Sequence, residues 1–431
     1  MLSKYAMNYK ETTEYLFNVT PVFEKIGAGA YKEGLGNSLA LDEHFGHPHR
    51  KFKSIHIAGT NGKGSCSHTI ASILQSAGYK VGLYTSPHLV DFRERIRING
   101  RCISEQYVID FVEEERGFFE PLHPSFFELT TAMAFKYFAE QQVDFAVIEV
   151  GLGGRLDCTN IIHPILSVIT NISFDHTQFL GDTLEKIAYE KAGIIKHGVP
   201  VVIGETTPQT KPVFESVAKE HDAAIYYAED FDMQMFSDEA QCKRSFDDID
   251  FELKGLYQQK NKRTILCAIY ALERILPPPS SMQITDAVEA GFSNVCEQTG
   301  LTGRWQTIRQ QPLVICDTGH NVGGWEYLSI QVAQQPCKQR RIVFGMVDDK
   351  DIDAVMAMLP HDAIYYWCKA STHRAIPETR IGDLAEKHHL HGKTYHDVAT
   401  AYQQALADAH PEDFIFVGGS SYVVADLLAV L

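Results

Sequence analysis

The chain has 431 residues, of which 45% are hydrophobic and 22% charged, and this composition excludes a largely disordered protein. It has 39 Lys and Arg residues against 55 Asp and Glu residues, and the net charge of −16 disfavours nucleic acid and anionic membranes as partners. The nine cysteines form no Cys-x-x-Cys pair, the N-terminus lacks a signal-peptide core, and no apolar run approaches the roughly 18 residues of a membrane span. We therefore expect a cytoplasmic protein.

Strand-like apolar runs alternate with helix-like segments in the first half of the chain. The runs KSIHIAG, KVGLYTS, DFAVIEVG, ILSVITNIS and VPVVIG are separated by segments such as SHTIASILQSAGY and FELTTAMAFKYFAEQQ. This alternation predicts an α/β domain with a mostly parallel sheet and helices on both faces. The pattern breaks at residues 230–255, where short alternating runs predict a small lateral sheet of antiparallel strands.

The alternation restarts after Gly303 with the runs PLVICDTGHN, RRIVFGMVDD, DAIYYWCKAS and DFIFVGGSSYVV. We therefore predict two α/β domains. A larger, P-loop ATPase-like domain spans residues 1–298, and a smaller, Rossmann-like domain spans residues 299–431.

The strongest local signal is the stretch AGTNGKGS at residues 58–65, between a predicted strand and a predicted helix. Glycines in such a loop allow backbone N–H groups to surround phosphate oxygens, and Lys63 would reach a terminal phosphate. The stretch departs from the strict Gly-x-x-x-x-Gly-Lys-Ser/Thr pattern, because Ile57 replaces the first glycine and Gly64 separates Lys63 from Ser65. The sequence still predicts a phosphate-binding loop.

Polar residues follow several predicted strands at their carboxyl ends, where α/β proteins bind ligands. They are Glu149, the pair Asp175 and His176, Asp317, and His320. Glu149 carries oxygen ligands suited to magnesium. By sequence pattern alone, Lys191 is a solvated helix lysine, and His44, His47 and His49 belong to an exposed connector rather than to a metal site.

Taken in order, these motifs resemble the folylpolyglutamate synthase/dihydrofolate synthase family, which lies within the Mur ligase superfamily. The matching stretches are AGTNGKGS, TSPHLVDFRERI, FFELTTAMAF, EVGLGGRLDCTN, DHTQFLGDTLEKIAYEKAGIIK, GRWQ and DTGHN. They span nearly the whole chain. Tyr257 departs from the pattern, because the family often has histidine at that position.

The resemblance implies an ATP site, two magnesium sites and a folate site. The nucleotide contacts would come from Thr60, Asn61, Gly62, Lys63, Gly64, Ser65, Asn261, Arg304, Asp317 and His320. The magnesium ligands would be Ser65, Ser86, Glu149, His176 and Lys191, with Lys191 carbamylated, and the catalytic residues would be Lys63, Glu149, His176 and Lys191. The pterin-side contacts would be Gly34, Leu35, Gly36, Phe127, Glu128, Leu156, Asp157 and Cys158.

The activity implied by the resemblance is ATP-dependent addition of L-glutamate to dihydropteroate and to reduced folates, through an acyl phosphate. A monofunctional folylpolyglutamate synthase is one alternative. A cell-wall Mur ligase is another, although the roughly 50 residues before the phosphate loop leave little room for its sugar-binding domain. A non-catalytic nucleotide-binding module would have no need of Ser86, Glu149 and His176. We expect a monomer whose partners are small molecules only.

Overall fold

The computed structural model describes residues 7–19, 34–231, 249–276, 284–348 and 350–431. The chain divides into two compact units. Unit 1 comprises Met1–Ser173, Thr177–Glu252 and Lys260–Leu301, and unit 2 comprises Phe174–His176, Leu253–Gln259 and Thr302–Leu431. No helix in the described part of the chain is long and apolar enough to cross a membrane.

Unit 1 contains an eight-stranded sheet that is parallel except at one edge. Its strands are β1 (Lys53–Ala58), β2 (Val81–Tyr84), β3 (Ile96–Ile98), β4 (Arg101–Cys102), β5 (Phe145–Glu149), β6 (Leu166–Ile169), β7 (Val201–Ile203) and β8 (Ile225–Tyr227). The spatial order is β4-β3-β2-β5-β1-β6-β7-β8, so β1 lies between the parallel strands β5 and β6. Because both faces of β1 are covered, every residue of the strand except Lys53 is buried.

The antiparallel edge is a β3–β4 hairpin whose turn is formed by Asn99 and Gly100. Both residues have positive φ angles, +46° and +74°, as the tight turns of hairpins require. The predicted lateral sheet at 230–255 lies mostly outside the described residues, and the described parts, 230–231 and 249–255, contain no strand.

The helices up to residue 299 belong to unit 1, apart from residues 258–259. They are α1 (Tyr9–Val19), α2 (Gly36–His44), α3 (Lys63–Ser76), α4 (Glu105–Phe119), α5 (Phe126–Glu140), α6 (Thr177–Leu180), α7 (Leu184–Ala192), α8 (Lys211–Glu220), α9 (Gln258–Glu273), α10 (Ile284–Ser293) and α11 (Val295–Thr299). Helix α3 directly follows the glycine loop and is buried from Ser65 to Leu74. Helix α5 begins with a capping box between Ser125 and Glu128.

Unit 2 has an α/β fold of its own, with a six-stranded sheet in the order β13-β12-β11-β14-β10-β9. Only the β9–β10 pair in this sheet is antiparallel. Its elements are β9 (Gln306–Gln310), β10 (Leu313–Asp317), α12 (Val322–Gln334), β11 (Arg340–Phe344), α13 (Ile352–Met356), β12 (Ala363–Cys368), α14 (Glu378–Lys387), β13 (Gly392–Tyr395), α15 (Val398–Ala407), β14 (Phe414–Gly418) and α16 (Ser421–Leu428). Trp325 packs edge-on against Phe344 and Phe416, with ring centroids 5.5 and 5.8 Å away, at the centre of its core.

The α/β fold with a mostly parallel sheet that was predicted from the sequence is therefore confirmed in both units. The alternation of apolar runs was sufficient for this prediction, because parallel strands covered on both faces are continuously apolar.

Candidate functional site

The loop between β1 and α3 requires glycine at two positions. Gly59 and Gly62 have φ angles of +146° and +85°, which L-residues rarely adopt. A Cβ on Gly59 would lie 1.8 Å from Thr170 Oγ1, and one on Gly62 would lie 2.3 Å from Asn261 Oδ1. The loop is thus packed closely against its neighbours, and its backbone N–H groups precede the N-terminus of a helix. This is the arrangement of an anion-binding loop.

Two lysine side chains meet at this loop. Lys63 Nζ donates to the carbonyl oxygens of Gly59 and Thr60, both at 3.0 Å. Lys191 Nζ, from α7, donates to the same Gly59 oxygen at 2.9 Å. Lys191 is only 4% exposed, so the interpretation of Lys191 as a solvated helix lysine is wrong. The loop is therefore a site of concentrated positive charge.

The segment that follows β6 supports the loop, and sequence reasoning missed it. Thr170 Oγ1 donates to the carbonyl of Asn61 at 2.5 Å, and Asn171 Oδ1 accepts from the backbone N–H of Asn61 at 3.0 Å. Thr60 Oγ1 donates to the Ser173 carbonyl at 3.1 Å. The stretch TNIS after the apolar run of β6 was the available signal, because polar residues there lie at the carboxyl edge of the sheet.

Glu149 ends β5 beside the end of β1 and is 3% exposed. Its Oε2 accepts from the backbone N–H of Ser86 at 3.2 Å. Burial, with a smaller contribution from the nearby Glu149, raises the pKa of the Cys66 thiol on α3.

Three of the residues predicted to bind magnesium, all in unit 1, carry oxygen donors. Glu149, Ser86 and Ser65 supply a carboxylate and two hydroxyls, the hard donors that Mg²⁺ prefers, and Mg²⁺ usually completes its shell with water and phosphate oxygens. In the described ranges, no cluster of three or more His, Cys, Asp or Glu residues could hold a metal ion. The donor set thus fits a magnesium ion that also binds substrate phosphates.

The histidines of the HFGHPH stretch are paired with carboxylates. His47 and His49 both contact Asp42, with nitrogen–oxygen distances of 2.7 and 2.6 Å, and His44 contacts Glu115 at 2.8 Å. This pairing accounts for them without a metal ion.

The turn after Glu149 is held by Asp157. Its Oδ2 accepts from the backbone N–H groups of Gly151 and Leu152 at 3.0 and 2.9 Å. Burial raises the pKa of Asp157, and hydrogen bonds from Thr159, Leu152 and Gly151 oppose that shift. The same turn packs on α7, because a Cβ on Gly154 would lie 2.9 Å from the Lys191 carbonyl oxygen.

Phe127 lies against this turn, and a Cβ on Gly151 would be 2.4 Å from its ring. The ring stacks on Tyr84 with a centroid distance of 5.6 Å. The Tyr84 hydroxyl is 3.0 Å from Thr131 Oγ1, which lies 3.6 Å from Cys158 Sγ. Phe127 and Cys158, both predicted to bind substrate, thus belong to one connected cluster.

Glu128 is buried, and its carboxylate caps α5 by accepting from the Ser125 backbone N–H at 2.6 Å. Asn37 Nδ2 also donates to Glu128, at 3.4 Å, so the segment containing Gly34, Leu35 and Gly36 lies close to the start of α5. Leu156 is partly exposed in the turn held by Asp157.

In unit 2, Asp317 ends β10 and is 2% exposed. Its Oδ2 accepts from the Tyr257 hydroxyl and the Trp305 backbone N–H, both at 2.7 Å, and its Oδ1 accepts from the Gly319 N–H at 2.8 Å. Burial raises the pKa of Asp317, and the Tyr257 hydrogen bond opposes the shift. The Arg304 guanidinium donates to the Thr318 hydroxyl.

Asp175 is a second buried carboxylate in unit 2. It accepts hydrogen bonds from Lys350 at 2.5 Å and Asn321 at 3.0 Å, and His320 Nε2 lies 3.6 Å away. Although burial acts to raise its pKa, the His320 hydrogen bond and the positive charges of Lys350 and His176 hold it well below its usual value. His176 has a φ of +49°, in the left-handed region that few residues other than glycine adopt.

The predicted site residues therefore fall into two groups. Unit 2 contains His176, Arg304, Asp317 and His320, and unit 1 contains all the others. Lys350 is a contributor that sequence reasoning did not identify, and Tyr257 was noted only as a departure from the family pattern.

Two family models match the chain. Residues 57–263 match the Mur ligase middle domain, and residues 303–421 match the Mur ligase glutamate ligase domain. The dihydrofolate synthase/folylpolyglutamate synthase of Bacillus subtilis (strain 168) is 33% identical over 92% of this chain and 94% of its own. The folylpolyglutamate synthase of Lacticaseibacillus casei is 32% identical over 97% of each chain.

Solved structures agree over almost the full length. E. coli FolC in complex with DHPP and ADP has a TM-score of 0.82 and 32% identity, and the match covers 99% of this chain and 98% of that one. The bifunctional synthase of Yersinia pestis, complexed with AMPPNP and Mn, has a TM-score of 0.82 and 31% identity, with 100% and 99% covered. A bifunctional synthase with Mn, AMPPNP and L-glutamate bound has a TM-score of 0.80 and 31% identity, with 98% of each covered.

Proposed function

Because the chain belongs to the folylpolyglutamate synthase/dihydrofolate synthase family, we propose that it joins L-glutamate to dihydropteroate and to reduced folates in an ATP-dependent reaction. A carboxylate and an ammonium group do not condense spontaneously in water. The γ-phosphoryl group of ATP is therefore transferred to a carboxylate oxygen, which gives an acyl phosphate and ADP. The amine of glutamate then attacks the acyl carbon, loses a proton and displaces inorganic phosphate.

The observation that carries this proposal is the convergence of Lys63 and Lys191 on the carbonyl oxygen of Gly59. The Lys63 ammonium beside a glycine loop at a helix N-terminus favours a multiply charged anion, and Lys191 places a second amine at the same loop. Thr60, Asn61, Gly62, Gly64 and Ser65 would contribute to binding the ATP phosphates. The positive charge would also stabilise the transferring phosphoryl group.

One magnesium ion would be held by Ser86 and Glu149, and a second would involve His176. Ser65 and a carbamylated Lys191 would be further magnesium ligands. When bound, magnesium neutralises phosphate charge. Carbamylation joins Nζ of Lys191 to carbon dioxide and releases a proton, so a cation becomes an anion able to bind metal. The burial of Lys191 supports this role, because an uncharged amine is the reactive form and burial disfavours the ammonium.

We further propose that Asn261, Arg304, Asp317 and His320 bind the nucleotide. The proposed domains span residues 1–298 and 299–431. The pterin end of the substrate would contact Phe127, Glu128, Leu156, Asp157 and Cys158, with the segment Gly34, Leu35 and Gly36. The Phe127 ring supports this assignment because an aromatic face suits a flat heterocycle.

A cytoplasmic monomer is proposed, and light scattering after size exclusion would measure its mass.

Phosphate release that depends on both ATP and glutamate tests the activity. It would be measured with dihydropteroate, with tetrahydrofolate and without an acceptor. Release with both acceptors is the expected result. Release with tetrahydrofolate alone would support the second candidate, a monofunctional folylpolyglutamate synthase, which the similarity to the Lacticaseibacillus casei enzyme favours. If the folded protein releases no phosphate with either acceptor, the proposal is wrong. A cell-wall Mur ligase or a non-catalytic nucleotide-binding module would then be the better hypothesis.

A further inference from the structure

His56 is a fully buried polar residue in the central strand β1 to which no role has been assigned. Its Nε2 lies 2.8 Å from Thr159 Oγ1. Its Nδ1 is buried and has no hydrogen-bond partner among the described residues. Burial, with a smaller contribution from the Lys196 charge, lowers the pKa of His56 to about 3. The ring is therefore neutral and carries one N–H hydrogen, on either Nδ1 or Nε2.

The neighbouring groups determine which nitrogen carries that hydrogen. Thr159 Oγ1 is 2.5 Å from Asp157 Oδ1, and the Thr159 backbone N–H donates to the same oxygen at 3.0 Å. Together with the N–H groups of Gly151 and Leu152, Asp157 thus faces four donors, which is the full capacity of a carboxylate. Since the single hydroxyl hydrogen of Thr159 points to Asp157, His56 must donate to Thr159 through Nε2.

This chain of hydrogen bonds ends at the substrate side of the site. Asp157 holds the N–H groups of Gly151 and Leu152, which lie two and three residues after Glu149, the last residue of β5. The Phe127 ring packs on Gly151 so closely that a Cβ there would lie 2.4 Å from the ring. A shift of the turn would therefore move Phe127 as well.

We propose that His56 is a positioning residue for the pteroate or folate substrate, acting through Thr159 and Asp157 on the Gly151 turn and the Phe127 ring. This inference rests on the proposed function. Without the Nε2–H donor, Thr159 Oγ1 would lose the contact that fixes its orientation, and its hydrogen bond to Asp157 would be less well directed. The turn would then adopt several positions, and binding of the pterin end would weaken.

Ser167 provides a matched control. It lies in β6 directly beside His56 in the sheet and is also fully buried. Its hydroxyl donates to the Ile194 carbonyl at 2.9 Å, away from Asp157. Ser167→Ala removes one buried hydrogen bond from the same part of the core without touching the chain that leads to Gly151.

The experiment compares the wild type with His56→Leu, His56→Gln, Thr159→Val and Ser167→Ala, using phosphate release with dihydropteroate and ATP varied separately. We expect His56→Leu and Thr159→Val each to raise the KM for dihydropteroate about tenfold while the KM for ATP stays within about twofold, and the double variant to add little. His56→Gln retains an N–H donor at the same reach and restores most of the affinity. Ser167→Ala leaves both KM values unchanged.

Other outcomes overturn the inference in distinguishable ways. One such outcome is an active wild type together with His56 and Thr159 variants that leave both KM values unchanged or raise both equally. That result would contradict the positioning role but not the proposed function. A wild type that is silent with every folate acceptor would overturn both. If His56→Leu fails to fold, Thr159→Val and His56→Gln still decide the outcome, and nitrogen NMR of the wild type must find the hydrogen on Nε2. A hydrogen on Nδ1 would contradict the inference.

Discussion

Lys63 and Lys191 donate hydrogen bonds to the same acceptor, the carbonyl oxygen of Gly59, at 3.0 and 2.9 Å. The two residues come from different helices, α3 and α7, and are held there by the close packing of the glycine loop. Two ammonium groups on one acceptor would repel each other, and a neutral Lys191 amine, the form that reacts with carbon dioxide, would relieve that repulsion. This relationship underlies the first two predictions.

Lys63→Ala should lower kcat about 100- to 1,000-fold, because it removes a positive charge from the transferring phosphoryl group. The free energy of unfolding should change little, since the Lys63 side chain is only partly buried. Phosphate release and a urea titration measure the two quantities. Lys186→Ala is the control, because Lys186 is exposed on α7 and pairs with the exposed Asp182. Near-normal turnover of Lys63→Ala would remove Lys63 from the phosphate role.

Lys191→Ala should abolish turnover, and short-chain carboxylic acids added to the assay should restore part of it by replacing the missing carbamate. Lys191→Arg retains the charge but cannot be carbamylated, so it should be inactive and should not respond to added acid. Labelled bicarbonate, followed by NMR of the folded protein, detects the carbamate directly. If no labelled carbamate is found and carboxylic acids do not restore turnover to Lys191→Ala, Lys191 is not carbamylated and acts as a cation in the site.

Gly62→Ala should cost about 1 to 2 kcal/mol of stability because of its φ of +85°, and should also raise the KM for ATP, because the new Cβ would meet Asn261 at 2.3 Å. Gly78→Ala separates the two effects. Gly78 has a similar φ of +90°, but a Cβ added there would have nothing within 4 Å, so only stability should fall. Equal KM values for ATP in the two variants would argue against tight packing of the loop.

Asp175→Asn should lower the stability of unit 2 by about 3 to 5 kcal/mol, because it breaks the buried ion pair with Lys350. The folded-state pKa of Asp175 lies well below its ordinary value, so its stabilising contribution is complete above about pH 4 and is lost as the pH falls further. Calorimetry should therefore find that the difference in Tm between the wild type and the variant shrinks as the pH falls below about 4.

Asp353→Asn is the control for this experiment. Asp353 also pairs with a lysine, Lys387, but both side chains are at least half exposed. Solvent screens such a pair, so its loss should leave Tm almost unchanged at every pH. Equal effects of the two substitutions would mean that burial does not strengthen the Asp175 interaction.

Local sequence was informative about the glycine loop and the strand ends, but not about their supporting contacts. The AGTNGKGS stretch was predicted to be a phosphate-binding loop because its glycines allow backbone N–H groups to surround a phosphate and its lysine adds a positive charge. Thr170 and Asn171, which hold the loop from the neighbouring strand, were missed. Lys191 could not be distinguished from an ordinary helix lysine, because its partner Gly59 is 132 positions away along the chain.

The sequence by itself determined the α/β class and the resemblance to a folate ligase, since periodicity of apolar residues and short motifs are local properties of a chain. Only the tertiary structure decided which polar groups meet inside it. The buried His56 looked like part of an apolar strand, yet the fold brings it to Thr159, 103 residues further on, and through Thr159 to Asp157. A buried polar group is stable only with a partner, and that partner is chosen by the packing of the strands and not by the spacing of residues.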